Sequence, residues 1–374
     1  MKIGFDAKRA LNNSTGLGNH ARILLNGLHQ HFPEHDYHLY TPQAQDRWLH
    51  ELNGDFELHF PQGMFYNTAP ALWRSYGVVN DLRKQRIDIY HGLSNEIPYQ
   101  VHNNVRGTVV TIHDLIFLKH TVQYPFLDRK IYELKTRYAA KHAHKIIAVS
   151  NETKAELINY YNLSEQKIEV IYPAVDELFE QVVIPELIQS CRAKFALPEQ
   201  YILNVGSFFP RKNQLTLVRA FNTIKNDTDV DLVLVGSSGF MLNSVKQLVA
   251  ELKLTNRVHF ILQVSSEELP AIYAGATVFV FPSLYEGFGA PVVEALWQKV
   301  PVVTTENSAM QEAAGNHSLF ANPLSYEDIA EKILLVLNNP ELKMEMAERG
   351  YTHAQNMSAK HFAAQTMQLY KQLI

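Results

Sequence analysis

Two segments in the second half of the chain carry residue types suited to a polyhydroxylated, anionic ligand. The first is Pro282-Ser283-Leu284-Tyr285-Glu286-Gly287-Phe288-Gly289-Ala290-Pro291-Val292-Val293-Glu294-Ala295. Carboxylates accept hydrogen bonds from vicinal hydroxyls, the groups that sugars and ribose present. Glu286 falls on a loop and Glu294 in the opening turns of the helix that follows, so both can face one pocket. Gly287 and Gly289 let backbone approach a ligand closely, and Pro291 suits the first turn of a helix. The second segment is Gly206-Ser207-Phe208-Phe209-Pro210-Arg211-Lys212-Asn213. Two adjacent cations at a helix start oppose the macrodipole, which is already positive there. That conflict is relieved if an anion fills the space, and each charge-assisted bond to a phosphate would contribute roughly 1.5 to 3 kcal/mol.

Two further segments offer less. Ser14-Thr15-Gly16-Leu17-Gly18-Asn19-His20 reads as a glycine-bearing loop entering a helix, able to offer N–H groups to a phosphate. His113-Asp114 follows a β-branched run, where a strand end would bring it to a ligand. The alternative there is a local Asx turn for Asp114 beside an exposed histidine.

Such residues need a scaffold that gathers loops at one edge, and the hydrophobic pattern supplies it. Short apolar runs alternate with amphipathic stretches, the signature of βα units and parallel sheets. In the first half the pattern predicts strands over 2–7, 37–41, 106–112, 146–149 and 169–172. Helices are expected over 20–30 and, capped by Ser150, over 151–160. In the second half it predicts strands over 201–205, 232–235, 258–261, 278–281 and 302–304, each followed by a helical segment. Pro173, Pro185 and Pro198 mark a connector with one helix over 186–195. From Ser325 the chain is helical, interrupted near Pro340, with Ser358 capping a last helix. The fold class is α/β, with two Rossmann-like doubly wound parallel sheets. Ligands of such sheets bind outside the carboxyl ends of the strands, where all four segments fall.

Composition agrees. A chain of 374 residues, 46% hydrophobic, exceeds the roughly 250 to 300 residues one core can serve. One cysteine, Cys191, excludes an internal disulfide or a cysteine-based zinc site and favours a reducing compartment. The opening residues lack a secretory pattern and no run reaches membrane-span length, so a cytoplasmic location is expected. The net charge of −4 leaves no basic stripe for nucleic acid. Residues 100–145 nevertheless hold eight Lys and Arg against three acids, either a solvated helix face or a contact with an anionic membrane surface.

The segment Glu286-Gly287-Phe288-Gly289-Ala290-Pro291-Val292-Val293-Glu294-Ala295 resembles the signature of the retaining glycosyltransferases of family 4. The likeness extends to Arg211-Lys212-Asn213, Thr111-Ile112-His113-Asp114-Leu115, Ala148-Val149-Ser150 and the Gly16-x-Gly18 loop. It implies the GT-B fold, with an acceptor-binding domain over 1–175 to which a crossover helix at 358–374 returns. A nucleotide-sugar-binding domain would span 176–357, with a cleft between the two. The resemblance implies that Arg211 and Lys212 neutralise the donor diphosphate. Glu294 would hold the ribose hydroxyls and Glu286 the sugar, beside Gly287, Phe288, Gly289 and Ala290. Gly206 and Val264 would line the donor site, His113 would lie near the reacting centre, and Gly16 and Gly18 would approach the phosphates. Asn19 stands where a basic residue is common, and Leu262-Gln263 replace the usual Gly-aromatic pair.

The expected activity is transfer of a hexose, with mannose from GDP-mannose favoured, to a glycan or lipid-linked saccharide. Acceptor contacts are expected from residues 61–77 and 116–130, with peripheral contact at the inner membrane surface. No cofactor is called for, and because no Asp-x-Asp pair ends a strand, no divalent metal is required. UDP-glucose, UDP-galactose or UDP-GlcNAc stay open as donors. Other classes stay open too: an NAD-dependent oxidoreductase, suggested by Gly16-x-Gly18-x-x-Ala21 but lacking a ribose acid after the second strand; a GT-B epimerase; and an inactive binding protein.

Overall fold

The β-branched runs form two parallel sheets, each buried on both faces. In the computed structural model, which describes residues 1–119, 125–237, 239–306 and 308–374, the first sheet comprises β1 (Lys2–Asp6), β2 (Asp36–Tyr40), β3 (Glu57–His59), β4 (Ile89–Gly92), β5 (Gly107–Ile112), β6 (Lys145–Ala148) and β7 (Ile168–Val170). The second comprises β8 (Tyr201–Val205), β9 (Asp231–Val235), β10 (Val258–Ile261), β11 (Val278–Val280), β12 (Val302–Thr305) and β13 (Leu319–Ala321). Their orders are β3-β2-β1-β4-β5-β6-β7 and β10-β9-β8-β11-β12-β13. Both are doubly wound, and the order reverses between β1 and β4 and again between β8 and β11. At such switch points the loops leaving neighbouring strands diverge to opposite faces and leave a crevice.

The chain divides into two compact units. One holds Met1–Asp176 and Ser358–Ile374, the other Glu177–Met357. In the first, one face of the sheet packs Phe5, Leu24, Leu28 and Leu39 against Phe362, Met367 and Tyr370 of the last helix. The other face buries Trp73, Leu82, Tyr90 and Val110. In the second unit Leu217, Phe221, Leu234, Val280 and Ile333 build the core.

Local signals act where physics says they should. The side chain of Ser150 accepts from the Thr153 N–H to start helix Asn151–Tyr161, and Ser358 does the same for helix Ala359–Lys371. Asn339 caps the helix whose first turn contains Pro340. Three strands escape the sequence pattern: β3, β4 and β13, of three, four and three residues. The helix expected from His20 in fact begins at Gly16 and runs to His31. Gly16 and Gly18 therefore lie in its first turn and not in a loop before it. The reason is local: Thr15 takes the cap position and its carbonyl accepts from the Gly18 N–H at 2.9 Å. A Cβ on Gly18 would lie 1.9 Å from the Asn13 carbonyl oxygen, so this glycine is required by the chain's own backbone. A separate short helix, Lys8–Asn12, also parts β1 from that turn, which removes the strand–turn–helix geometry of a dinucleotide fingerprint.

Candidate active site

At the switch point of the second sheet, the loops after β8 and β11 are tied together by backbone and by one asparagine. Asn213 takes a left-handed conformation, φ 60°, which asparagine tolerates. Its side-chain amide donates to the carbonyls of Pro282 at 3.0 Å and Pro323 at 2.7 Å. The Leu284 N–H donates to the Arg211 carbonyl at 2.8 Å. These bonds bring Arg211 and Lys212, on the short turn Pro210–Lys212, against the loop that carries Glu286.

Glu286 is ion-paired with both cations: with Arg211, and with Lys212 Nζ at 2.6 Å. The side chains of Lys212 and Glu286 are each only 11% exposed. The Lys212 ammonium also sits 4.7 Å from the centre of the Phe281 ring. Burial pushes its pKa down to about 8, against the pull of Glu286. Burial acts to raise the Glu286 carboxyl, but Arg211 and Lys212 hold it below the ordinary carboxylate range. The anion that relieves the misplaced cations is thus, in the first instance, the chain's own Glu286.

Glu294 projects from helix Ala290–Trp297, where its Oε2 accepts from the Tyr273 hydroxyl at 2.7 Å. Tyr273 is fully buried between Phe179 and Phe279, so this bond fixes the rotamer of Glu294. The sequence pattern does not single out Tyr273, because an aromatic residue in an apolar helix reads as core. Gly289 precedes Ala290 at φ 120°, and a Cβ there would meet Met310 Cε at 2.6 Å. Phe288 is buried, and Gly287 is half-buried beside it. Gly206 follows β8 and lies against the aliphatic stem of Lys212. Val264 is half-buried in the loop after β10. Arg211, Lys212 and Glu286 therefore occupy carboxyl-end loops of one sheet, and Glu294, held by Tyr273 of the preceding helix Leu269–Ala274, projects from the helix that follows the Glu286 loop, near enough for its charge to act on Lys212.

His113, Gly16 and Gly18 belong to the first unit. His113 Nε2 donates to the Leu93 carbonyl at 2.9 Å, which leaves Nδ1 as an acceptor. Its ring meets that of His20 edge-on at 4.5 Å. Burial pushes the His113 pKa down to about 4, so the imidazole is neutral at physiological pH. Asp114 Oδ1 accepts from the Ile116 N–H at 3.1 Å, an Asx turn. His113, Leu17, Asn95 and Tyr132 line a cavity of about 170 Å³. At the neighbouring switch point of this sheet, Arg74 is buried between Asp6 and Glu96 and bonds both. A cavity of about 260 Å³ opens there, bordered by Tyr76, Tyr99 and Tyr138. Of the expected acceptor segments, 61–77 reaches this cavity through Arg74 and Tyr76. Residues 120–124 of the other segment, 116–130, lie outside the described residues.

The chain is similar to known glycosyltransferases along most of its length. Residues 14–177 match the family described as Glycosyltransferase Family 4, and residues 189–353 match Glycosyl transferases group 1. The O-antigen chain mannosyltransferase B of Escherichia coli is 29% identical over 83% of this chain and 82% of its own length. The O-antigen chain mannosyltransferase RfbU of Salmonella typhimurium is 28% identical over 59% of this chain and 58% of its own. The crystal structure of Anabaena Alr3699/HepE in complex with UDP and glucose covers both chains in full, with a TM-score of 0.77 at 18% identity. At that identity it speaks for the GT-B fold alone.

Proposed function

We propose that this chain, which belongs to glycosyltransferase family 4, transfers a mannosyl group from GDP-mannose, with retention of anomeric configuration, to a glycan or lipid-linked saccharide. The observation that carries the reading is the convergence of Arg211, Lys212, Glu286 and Tyr273-held Glu294 at one switch point. Two cations beside two carboxylates fit a sugar diphosphate, whose anionic and hydroxyl ends need opposite partners. The choice of mannose rests on the two O-antigen mannosyltransferases.

In this reading the bond between the sugar C1 and the phosphate oxygen breaks while C1 bonds to the acceptor oxygen on the same face. The acceptor's proton passes to the departing phosphate oxygen. Negative charge grows on the diphosphate as this happens, so Arg211 and Lys212 bind the transition state more strongly than the donor. They fill the place of a divalent cation, and transfer is expected to continue unchanged in excess chelator. Glu286, released from its cations by the diphosphate, turns to the sugar hydroxyls, and Glu294 to the ribose. His113 stands near the acceptor with Nδ1 able to accept a hydroxyl hydrogen. The tyrosine-bordered cavity at the first sheet's switch point is the acceptor's place, since aromatic faces and charged groups together suit a saccharide.

Peripheral contact with the inner membrane surface belongs to the same reading. Among the described residues no helix is long and apolar enough to cross a membrane. Helix Phe126–His142, however, exposes Phe126, Leu127 and Leu134 between Arg129, Lys130 and Lys141.

The deciding experiment offers GDP-mannose, UDP-glucose, UDP-galactose and UDP-GlcNAc separately and follows thermal shift and donor hydrolysis. GDP-mannose should stabilise the protein most and be the donor hydrolysed. Glu294→Ala should weaken donor binding by about 10- to 100-fold, the value of one charge-assisted hydrogen bond. Response to a UDP-sugar alone would overturn the donor, and silence toward all four would overturn the activity.

A further inference from the structure

Histidine is the residue type that the transfer site leaves largely unused, yet 13 of the 17 histidines lie in residues 1–175. Two of them meet at the edge of the first sheet. The register pairs His38 of β2 with Glu57 of β3, and Tyr40 with His59, so these side chains share one face. His38 Nδ1 lies 3.0 Å from His59 Nε2 and 3.2 Å from Glu57 Oε2, and His59 Nε2 lies 3.4 Å from Glu57 Oε1. We infer that His38, Glu57 and His59 form a binding site for a divalent transition-metal ion of the zinc type, which pins the short edge strand β3 to β2.

Distances favour the ion. Zinc bonds nitrogen and carboxylate oxygen at about 2.0 to 2.2 Å, and in a tetrahedron this sets ligand atoms about 3.3 Å apart. The three contacts, 3.0, 3.2 and 3.4 Å, fall near that value, the carboxylate meeting His38 through Oε2 and His59 through Oε1. Hydrogen bonding alone cannot satisfy them with neutral rings. The edge between the two nitrogens needs one proton on one of them, and the other nitrogen then turns a lone pair toward the carboxylate. A cation satisfies all three edges at once, with His38 carrying its proton on Nε2 and His59 on Nδ1. The set of two imidazoles and a carboxylate suits zinc, nickel or copper better than magnesium or calcium.

The surroundings fit as well. His38 is 1% exposed, and the Tyr40 ring stacks on His59 at 4.5 Å and holds its orientation. Glu57, 57% exposed, gives an ion a path from solvent. A cavity of about 600 Å³ bordered by His38, Glu57, Asp36 and Lys2 leaves room for water as a fourth ligand. Nothing in this site touches the residues assigned to transfer, so its fate is independent of that reading.

Full-length protein, stripped with chelator and returned to clean buffer, should be titrated calorimetrically with zinc chloride and, in parallel, with cobalt chloride under a visible spectrum. One ion per chain should bind at micromolar concentration or tighter, cobalt should give the intense visible bands of tetrahedral coordination, and zinc should raise Tm. His59→Gln and Glu57→Gln should each weaken zinc binding at least tenfold. Glu57→Gln alters an exposed side chain, so it decides the matter even if the histidine variant does not fold. Absence of heat and of a cobalt spectrum in the unaltered protein overturns the site, as does zinc binding undiminished in Glu57→Gln.

Discussion

At the scale of single residues, the pairing of Lys212 with Glu286 sets the pH behaviour expected of the transfer. Lys212, with its pKa near 8, loses its charge as pH rises through that value, and kcat/KM should fall about tenfold per unit above it. The folding contribution has the opposite sign. Between pH 8 and the ordinary lysine value of 10.5 the unfolded chain holds more protons at this position than the folded one. Stability from this group therefore rises with pH in that window while activity falls. A pH–rate profile checks this: Lys212→Arg, which stays charged, should lose the limb, and Glu286→Gln should move it below 8. A limb unchanged in both would assign it to another group. The residues of this site were legible because glycine, proline, acids and cations stand together in short segments. Their pairing was not, because Asn213, which joins segments some seventy to one hundred and ten positions apart, is silent about its partners until the fold is known.

At the scale of elements, periodicity and caps located the longer strands and helices, and failed where an element is short or stabilised from afar. β4 reads Ile89-Tyr90-His91-Gly92, and a histidine argues against a central buried strand. The histidine is tolerated because its ring bonds Thr111 Oγ1 at 2.8 Å and the Tyr370 hydroxyl at 2.6 Å, the latter 279 positions away. β3 exposes Glu57 at a sheet edge and shows no apolar alternation. Helix Phe126–His142 poses the converse question, since Phe126, Leu127, Ile131 and Leu134 in its first half face outward. Leu127 and Leu134 are 69% and 68% exposed, one of the features that membrane-surface helices share. Sedimentation with vesicles containing anionic lipid should retain the protein, less so at high salt. The double variant Leu127→Glu, Leu134→Glu should release it with Tm unchanged, because neither side chain supports the core. Equal sedimentation of both proteins would remove the helix from any membrane role.

At the scale of the whole molecule, the first unit is discontinuous: its core is completed by the last seventeen residues of the chain. Phe362, Ala363, Met367 and Tyr370 are all 2% exposed or less within it. The hydroxyl of Tyr370 is also the partner of His91, whose pKa burial drives down to about 3, so loss of the helix strands a buried ring nitrogen. Removing one large core side chain costs about 2 to 5 kcal/mol, and a domain is stable by only about 5 to 15. Truncation after Met357 takes several such side chains together and should unfold residues 1–176. Residues 177–357 keep their own core and both loops of the Arg211–Glu286 site, so they should fold without that helix. Calorimetry of the truncated chain should show one cooperative transition where the full chain shows the contributions of two units. Donor nucleotide should still raise the melting temperature of the remaining transition, because Arg211, Lys212 and Glu294 all lie within it. If truncation instead abolished both transitions, the two cores would have to unfold as one, and separate units would be the wrong description of stability in this chain.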